Sequence, residues 1–306
     1  MPAESVSTGP TPNAAADPLL DDAAVRDALV GRVVLVTGAS RGIGAATAVH
    51  LASLGADVAI TARSAVADAD RALAGSLQET AEEVRALGVR CSVVVADLAD
   101  EDQRARIVPA VLDEFGRLDV LVNNAAAAMY APVEQMPLRR RRVLFELNVH
   151  APVDLIQAAV PHLRAAGGGS IVNVSSRTSE APEGEPGVLG STTTLHGSSK
   201  AALERITVGL AEELRSDGVA VNAVSPVRGV WTEGAAALLG DRIGREGFEP
   251  VEQMCAAIAV LAAVRPTQCT GRVLTSAQTL GLTAREDSAG RERPEHADGH
   301  DDGGPE

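Results

Sequence analysis

Lysine is almost absent from this chain: Lys200 stands alone, and every other basic residue is arginine. Either Lys200 is a leftover surface lysine, or chemistry holds the position, because a compact ammonium on a flexible stem does what a planar guanidinium fork cannot. Aromatic residues are nearly as scarce, with one Trp, one Tyr and three Phe in 306 residues, so the core has to be aliphatic. The three cysteines, Cys91, Cys255 and Cys269, are odd in number, far apart and without metal-ligand spacing. That excludes a disulfide framework, offers no metal site and fits a reducing, cytoplasmic setting. No run of 18 uninterrupted apolar residues occurs, and the N-terminus is acidic where a secretory signal is basic and then apolar, so neither a membrane span nor export is expected. Positive charge is also in deficit. A net charge of −14 repels phosphate backbones and speaks against a nucleic-acid partner, and the one basic run, Arg139 to Arg142, opens an amphipathic helix whose arginines would face solvent or a subunit partner.

What is present is regular alternation. Short Val/Ile-rich runs alternate with longer Ala/Leu/Glu/Arg segments of helical period from about residue 32 to residue 280, without a linker-like break or an internal repeat. One α/β domain over residues 28–283 is expected. Residues 1–27 and 284–306, rich in Ala, Pro, Ser and Asp or in Gly, Pro, Glu, Asp, Arg and His, read as disordered acidic tails.

The first apolar run, Val33 to Thr37, reads as a strand buried on both faces and leads straight into Gly38-Ala39-Ser40-Arg41-Gly42-Ile43-Gly44, after which a helix runs to Leu54. Glycines in such a turn let backbone approach a pyrophosphate, and the free N–H groups and positive end of the helix attract the anion. The second strand, Val58 to Thr61, ends at Ala62-Arg63, where an NAD site would carry a carboxylate for the ribose 2′-hydroxyl. Arg63, with Arg41 in the turn, suits a 2′-phosphate instead, so NADP(H) is expected over NAD(H). A third strand ends at Asp97-Leu98, placed for the adenine, and a fourth at Asn123-Asn124-Ala125, where Asn124 would brace the site.

These residues resemble the short-chain dehydrogenase/reductase family over roughly 31–280. Thr37-Gly38-x-x-x-Gly42-x-Gly44 is similar to its cofactor turn and Asn123-Asn124-Ala125 to its strand-four motif. Asn148 is similar to its helix-four asparagine, Ile171 to Ser176 to the strand carrying its serine, Lys200 to its lysine and Val221 to Pro226 to its strand-six motif. The resemblance implies a single doubly wound Rossmann-type domain with a parallel sheet of about seven strands and helices on both faces, assembled as a homodimer or homotetramer. It also implies hydride transfer between nicotinamide and a carbonyl or alcohol carbon. In that chemistry Ser176 holds the substrate oxygen, Lys200 holds the ribose and Asn148 carries a water connecting the lysine to solvent.

The family's tyrosine, expected four residues before the lysine, is His196. Spacing of four keeps His196 and Lys200 on one helix face. An imidazole, with an ordinary pKa near 6.5 against about 10 for a phenol, needs no lysine to bring it into range. Three readings stay open: a working acid/base in a reductase acting on a small, fairly apolar carbonyl or alcohol; a cofactor-holding isomerase, cyclase, dehydratase or non-catalytic NADP-binding subunit whose redox activity is weak or lost; or an accidental replacement. Tyr130 and Trp231 are candidate cleft-lining residues. Twenty positions separate Ser176 from His196, with a turn-rich insertion from Glu180 to Gly187. Pro226 is followed by Val227 where the family has glycine, while Thr232 stays within reach of the carboxamide.

Overall fold

The computed structural model describes residues 18–66, 74–180, 190–239 and 245–282. Its centre is a seven-stranded sheet of order β3-β2-β1-β4-β5-β6-β7, every pairing parallel. The strands are β1 (Val33–Thr37), β2 (Asp57–Ala62), β3 (Cys91–Val95), β4 (Val120–Asn123), β5 (Gly169–Val174), β6 (Val219–Ser225) and β7 (Val273–Thr275). Parallel neighbours need crossovers, and helices supply them: α1 (Asp22–Leu29), α2 (Gly42–Ser53), α3 (Leu77–Ala86), α4 (Glu101–Arg104), α5 (Ile107–Phe115), α6 (Leu138–Phe145), α7 (Ala151–Ala165), α8 (Thr194–Glu213), α9 (Glu233–Leu239), α10 (Val251–Ala263) and α11 (Ser276–Leu280).

Period-two alternation along the strands sorts the core into two layers. Val34, Val36, Val58, Ile60, Val120 and Val122 face one way, onto α2 and α10, while Val33, Leu35, Leu121, Ile171 and Val221 face the other, onto α5 and α7. Leu35 and Ile60 are fully buried, and cutting either to alanine would cost about 2–5 kcal/mol. Between β1 and β4 the chain order reverses, and at such a switch point the loops at the strands' carboxyl ends leave a crevice.

Two expected boundaries change. Residues 22–27 are helical rather than disordered: Asp21 caps α1 by accepting from Ala24 N–H at 2.8 Å, and Val25 and Leu29 are buried in the first core layer. The domain therefore begins before residue 28, because a capped amphipathic helix had apolar surface to bury. Residues 1–17, the 284–306 tail and most of the insertion after Glu180 lie outside the described residues.

Helices α6 and α7 form one continuous run, Leu138 to Ala165, long and apolar enough to cross a bilayer, yet Leu144 is buried and Leu155, Ile156, Ala159 and Leu163 pack into the second core layer. A π-helical turn, Glu146–His150, widens the run at mid-length. Such turns gather at functional sites, and Asn148 sits in this one with no exposed surface.

Candidate active site

The glycine turn is shaped by backbone alone. Gly38 and Gly42 hold φ of +68° and +56°, the left-handed region that side chains resist. Gly44 has ordinary φ but no space, since a Cβ there would stand 2.4 Å from both Asn124 Nδ2 and Gly38 O. Arg41 precedes α2 in extended conformation and offers no side-chain cap, so the helix keeps first-turn N–H groups for an anion. Asn124 donates to Thr37 O at 2.8 Å, while its own N–H and that of Ala125 donate to Thr37 Oγ1, each at 3.0 Å. Ser40, Arg41 and Gly42 line a cleft of about 430 Å³ together with Trp231 and Thr232. Ile43, half-buried, packs into the first core layer.

Around this turn the other expected residues gather at the strands' carboxyl ends. Arg63 is exposed just past β2. Asp97 accepts from Ala99 N–H at 3.0 Å, and buried Leu98 offers its carbonyl to Arg104. That arginine, 3% exposed, also pairs with Glu146 at 2.7 Å and with Asp154, tying the turn after β3 to the π-helical turn. Sequence reasoning missed it, because nothing local marks an arginine as buried. Pro226 begins a loop whose Val227 N–H donates to Glu249 Oε2 at 2.7 Å and whose Arg228 N–H lies 3.4 Å from the same oxygen. Glu249, 2% exposed, thus organises the stretch where glycine was expected. The two cleft-lining candidates part company: Trp231 packs edge-on to Phe248 at 5.1 Å beside the glycine turn, while Tyr130 packs edge-on to His196 at 5.1 Å.

Ser176, His196 and Lys200 come together where β5 ends against α8. Lys200 is 3% exposed and donates to Val174 O at 2.7 Å. Burial pulls its pKa down to about 8 against a raising effect from Glu204. His196 is 4% exposed, and burial followed by the Lys200 charge lowers its pKa to about 4, so the ring is neutral at pH 7. No bond joins His196 directly to Ser176. Thr178 stands between them, its Oγ1 lying 2.8 Å from His196 Nδ1 and 3.0 Å from Ser176 Oγ. The approach is close because residue 197 is glycine, where a Cβ would meet Thr178 O at 2.0 Å. Glu204 fixes the same turn from the next coil of α8, accepting from Ser175 and, at 2.7 Å, from Ser179. Both Thr178 and Glu204 were overlooked. Spacing held the signal for Glu204, since 196, 200 and 204 share one helix face.

Asn148 is a clamp: its Oδ1 accepts from Ala127 N–H at 2.7 Å, and its amide donates to Ala127 O and Ser199 Oγ, both at 3.0 Å. The side chain is fully engaged. Its carbonyl is not held by the usual helical partner, because residue 152 is proline and has no N–H to return.

The family model for short chain dehydrogenase matches residues 32–238. The chain belongs to the short-chain dehydrogenase family. An uncharacterized oxidoreductase of Methylorubrum extorquens is 35% identical over 259 residues, covering 81% of this chain and 97% of that protein. Among solved structures, a short chain dehydrogenase from Burkholderia cenocepacia in complex with NADP is 33% identical, with TM-score 0.67 over 81% of this chain and 96% of that one. A gluconate 5-dehydrogenase from Beutenbergia cavernae, described as NAD(P)-dependent and with bound NADP, is 32% identical, with TM-score 0.69 over 82% and 97%. Short-chain dehydrogenases are oxidoreductases that use NAD(P)(H), and the glycine turn, uncapped helix and Asn124 brace fit that cofactor.

Proposed function

We propose that this chain is an NADP(H)-dependent oxidoreductase that moves a hydride between nicotinamide and the carbonyl or alcohol carbon of a small, largely apolar metabolite, with His196 transferring the proton where the family's tyrosine would stand. The observation that carries this reading is the cluster at the end of β5: a neutral imidazole hydrogen-bonded through Thr178 to Ser176, one helical turn from a buried ammonium. The cofactor supplies the hydride or accepts it. Gly38, Ser40, Gly42, Ile43 and Gly44 would take the pyrophosphate, Asp97 and Leu98 the adenine, and Pro226 and Thr232 the nicotinamide end. Exposed Arg63, with Arg41 in the turn, favours a 2′-phosphate over a bare hydroxyl, in keeping with the two NADP-bound relatives.

In this reading Ser176 orients the substrate oxygen and Lys200 holds the ribose, its positive field opposing protonation of the neighbouring ring. The Asn148 carbonyl, whose α-helical i+4 partner is Pro152 and has no N–H to donate, would offer a water site on the way to solvent. Charge developing on the substrate oxygen is thereby met by a fixed donor and a fixed proton carrier rather than by reorganising solvent. The test is nicotinamide absorbance with a panel of secondary alcohols and ketones, comparing the natural chain with His196→Tyr. Turnover by the natural chain supports the reading. Turnover by the tyrosine variant alone would replace it with a cofactor-binding protein whose redox step is switched off.

A further inference from the structure

The loop after β6 is held by hydrogen bonds that run in only one direction, because the donors are backbone N–H groups and the acceptor is the Glu249 carboxylate. Val227 N–H donates to Glu249 Oε2 at 2.7 Å, and Arg228 N–H reaches the same oxygen at 3.4 Å. Successive amides in a turn are a fitting partner for an anion, and bonds to an ionised oxygen are stronger than neutral ones. The main chain of Glu249 adds to the grip. Its N–H donates to Gly229 O at 2.9 Å, its carbonyl accepts from Trp231 N–H at 3.4 Å, and Val230 pairs with it in an isolated parallel bridge. Phe248 completes the hold, since a Cβ on Gly229 would meet its ring at 3.0 Å and Trp231 packs edge-on against it. Every residue from 227 to 231 is thus tied to Phe248 or Glu249. The carboxylate is itself anchored: Ser276 Oγ lies 3.2 Å from Oε2, and Gln253 Nε2 lies 3.0 Å from that hydroxyl, which joins Glu249 to α11 and α10. Thr232 comes next in the chain and meets the glycine turn, its Cβ and Cγ2 standing 3.3 Å from where a Cβ on Gly42 would lie.

We propose that Glu249 is the positioning residue for the nicotinamide half of the cofactor, one carboxylate fixing the loop that meets the nicotinamide against the turn that meets the pyrophosphate. This rests on the reading of Pro226 and Thr232 as the nicotinamide end. At 2% exposure Glu249 has almost no surface to offer a ligand, so it acts through the loop. Where a glycine would leave the main chain free to find its own course, Val227 restricts it, and an acceptor outside the loop sets that course instead. The adenine half depends on other parts. Arg63 and Asp97 follow β2 and β3, on the far side of β1 from β6, and no bond of Glu249 reaches them. Losing the carboxylate should therefore be felt at one end of the dinucleotide only.

The test separates the two halves of the ligand. NADPH, and adenosine 2′,5′-bisphosphate, which carries the adenine and the 2′-phosphate but no nicotinamide, are titrated calorimetrically into the full natural chain and into Glu249→Ala, Glu249→Asp and Glu249→Gln. Aspartate keeps the charge but is one methylene short of the loop, while glutamine keeps the reach and an oxygen. Trp231, the single tryptophan, lies on the loop, so energy transfer from it to bound NADPH reports whether the nicotinamide is seated. In the alanine and aspartate variants the affinity for NADPH should fall about tenfold relative to that for the bisphosphate, as expected when bonds to a charged acceptor are lost. Energy transfer at saturation should weaken with it, and glutamine should restore most of both. A glutamate that only supports the fold would leave the affinity ratio unmoved in every variant that folds, and that result overturns the proposal, as does a glutamine variant as impaired as alanine. If the alanine variant does not fold, the aspartate and glutamine variants decide. A natural chain that binds neither ligand would overturn the cofactor reading itself, whereas binding of both with an unmoved ratio overturns the role of Glu249 alone.

Discussion

Two turns stand at the carboxyl edge of the sheet, one after β1 and one after β5 with β4 between them, and they are built from opposite materials. The first is backbone: left-handed glycines at 38 and 42, a residue at 44 with no room for a methyl group, and the first turn of α2 without a side-chain cap. The second is side chain: Ser175, Ser176, Thr178 and Ser179 strung between β5 and α8 and held by Glu204 and His196. A backbone site tolerates almost no change, because the missing side chain is the feature. A hydroxyl network tolerates exchange as long as donors and acceptors still balance.

The sharpest way to break this comparison is Gly44→Ala. The new Cβ would overlap Asn124 and the Gly38 carbonyl, so we expect stability to fall by about 3 kcal/mol, the upper end for overpacking, and NADP(H) affinity to fall at least a hundredfold. Thr178→Val, by contrast, should cost about 1 kcal/mol and leave cofactor affinity unchanged. Calorimetric titration together with thermal unfolding checks both, and equal losses of affinity in the two variants would dissolve the distinction between the turns.

Next in size is the acid limb of stability. His196 has a folded pKa of about 4 against an ordinary 6.5, so between those values the unfolded chain binds the proton that the folded chain refuses. Stability contributed by the neutral ring is complete above pH 6.5 and is lost as pH falls toward 4, by about 3 kcal/mol at the shift of 1.36 kcal/mol per pH unit. In His196→Gln that part of the slope should vanish. Urea unfolding at pH 7, 5.5 and 4 measures it, and a slope unchanged in the glutamine variant would mean that the ring is solvated rather than buried.

How far each turn could be read beforehand follows from how local it is. Apolar runs separated by helical segments point to a parallel α/β domain, the count of about seven strands comes with the family resemblance, and the glycine turn lies within seven consecutive residues, whereas the strand order is read from the structure. The β5 network joins positions 18 to 29 apart, across an insertion, and nothing in Ser-Arg-Thr-Ser signals which hydroxyl meets His196. Arg104 and Glu249 escaped for the same reason: charged residues are expected outside, and their burial is decided by partners more than 20 positions away. Helix α1 was missed on composition, because an Ala/Asp-rich stretch before the first strand looks like tail until Val25 and Leu29 find a surface.

Glu204→Gln gives a smaller and more selective effect. Glutamine keeps an oxygen for Ser175 and Ser179, so the turn should hold, but the carboxylate that raises the Lys200 pKa is gone. Lys200 then loses its proton below the present value of about 8. The alkaline limb of the turnover profile should move to lower pH with little change in melting temperature. A profile that does not move would assign Glu204 to structure alone.

The mildest expected change returns to the cofactor side and tests whether side chains there set preference rather than binding. If backbone holds the pyrophosphate, Arg63 should matter only for what distinguishes NADP from NAD. Arg63 is exposed at the end of β2, where a charge-assisted bond to a 2′-phosphate is partly screened by solvent and salt. Arg63→Ala should therefore weaken NADP by about tenfold, or about 1.4 kcal/mol, and leave NAD affinity where it was. Titrating both cofactors at two salt concentrations separates the possibilities, because the loss for NADP should shrink as ionic strength rises. A parallel loss for NAD would mean that Arg63 supports the turn itself, and the division between a backbone that binds and side chains that select would then fail on its own ground.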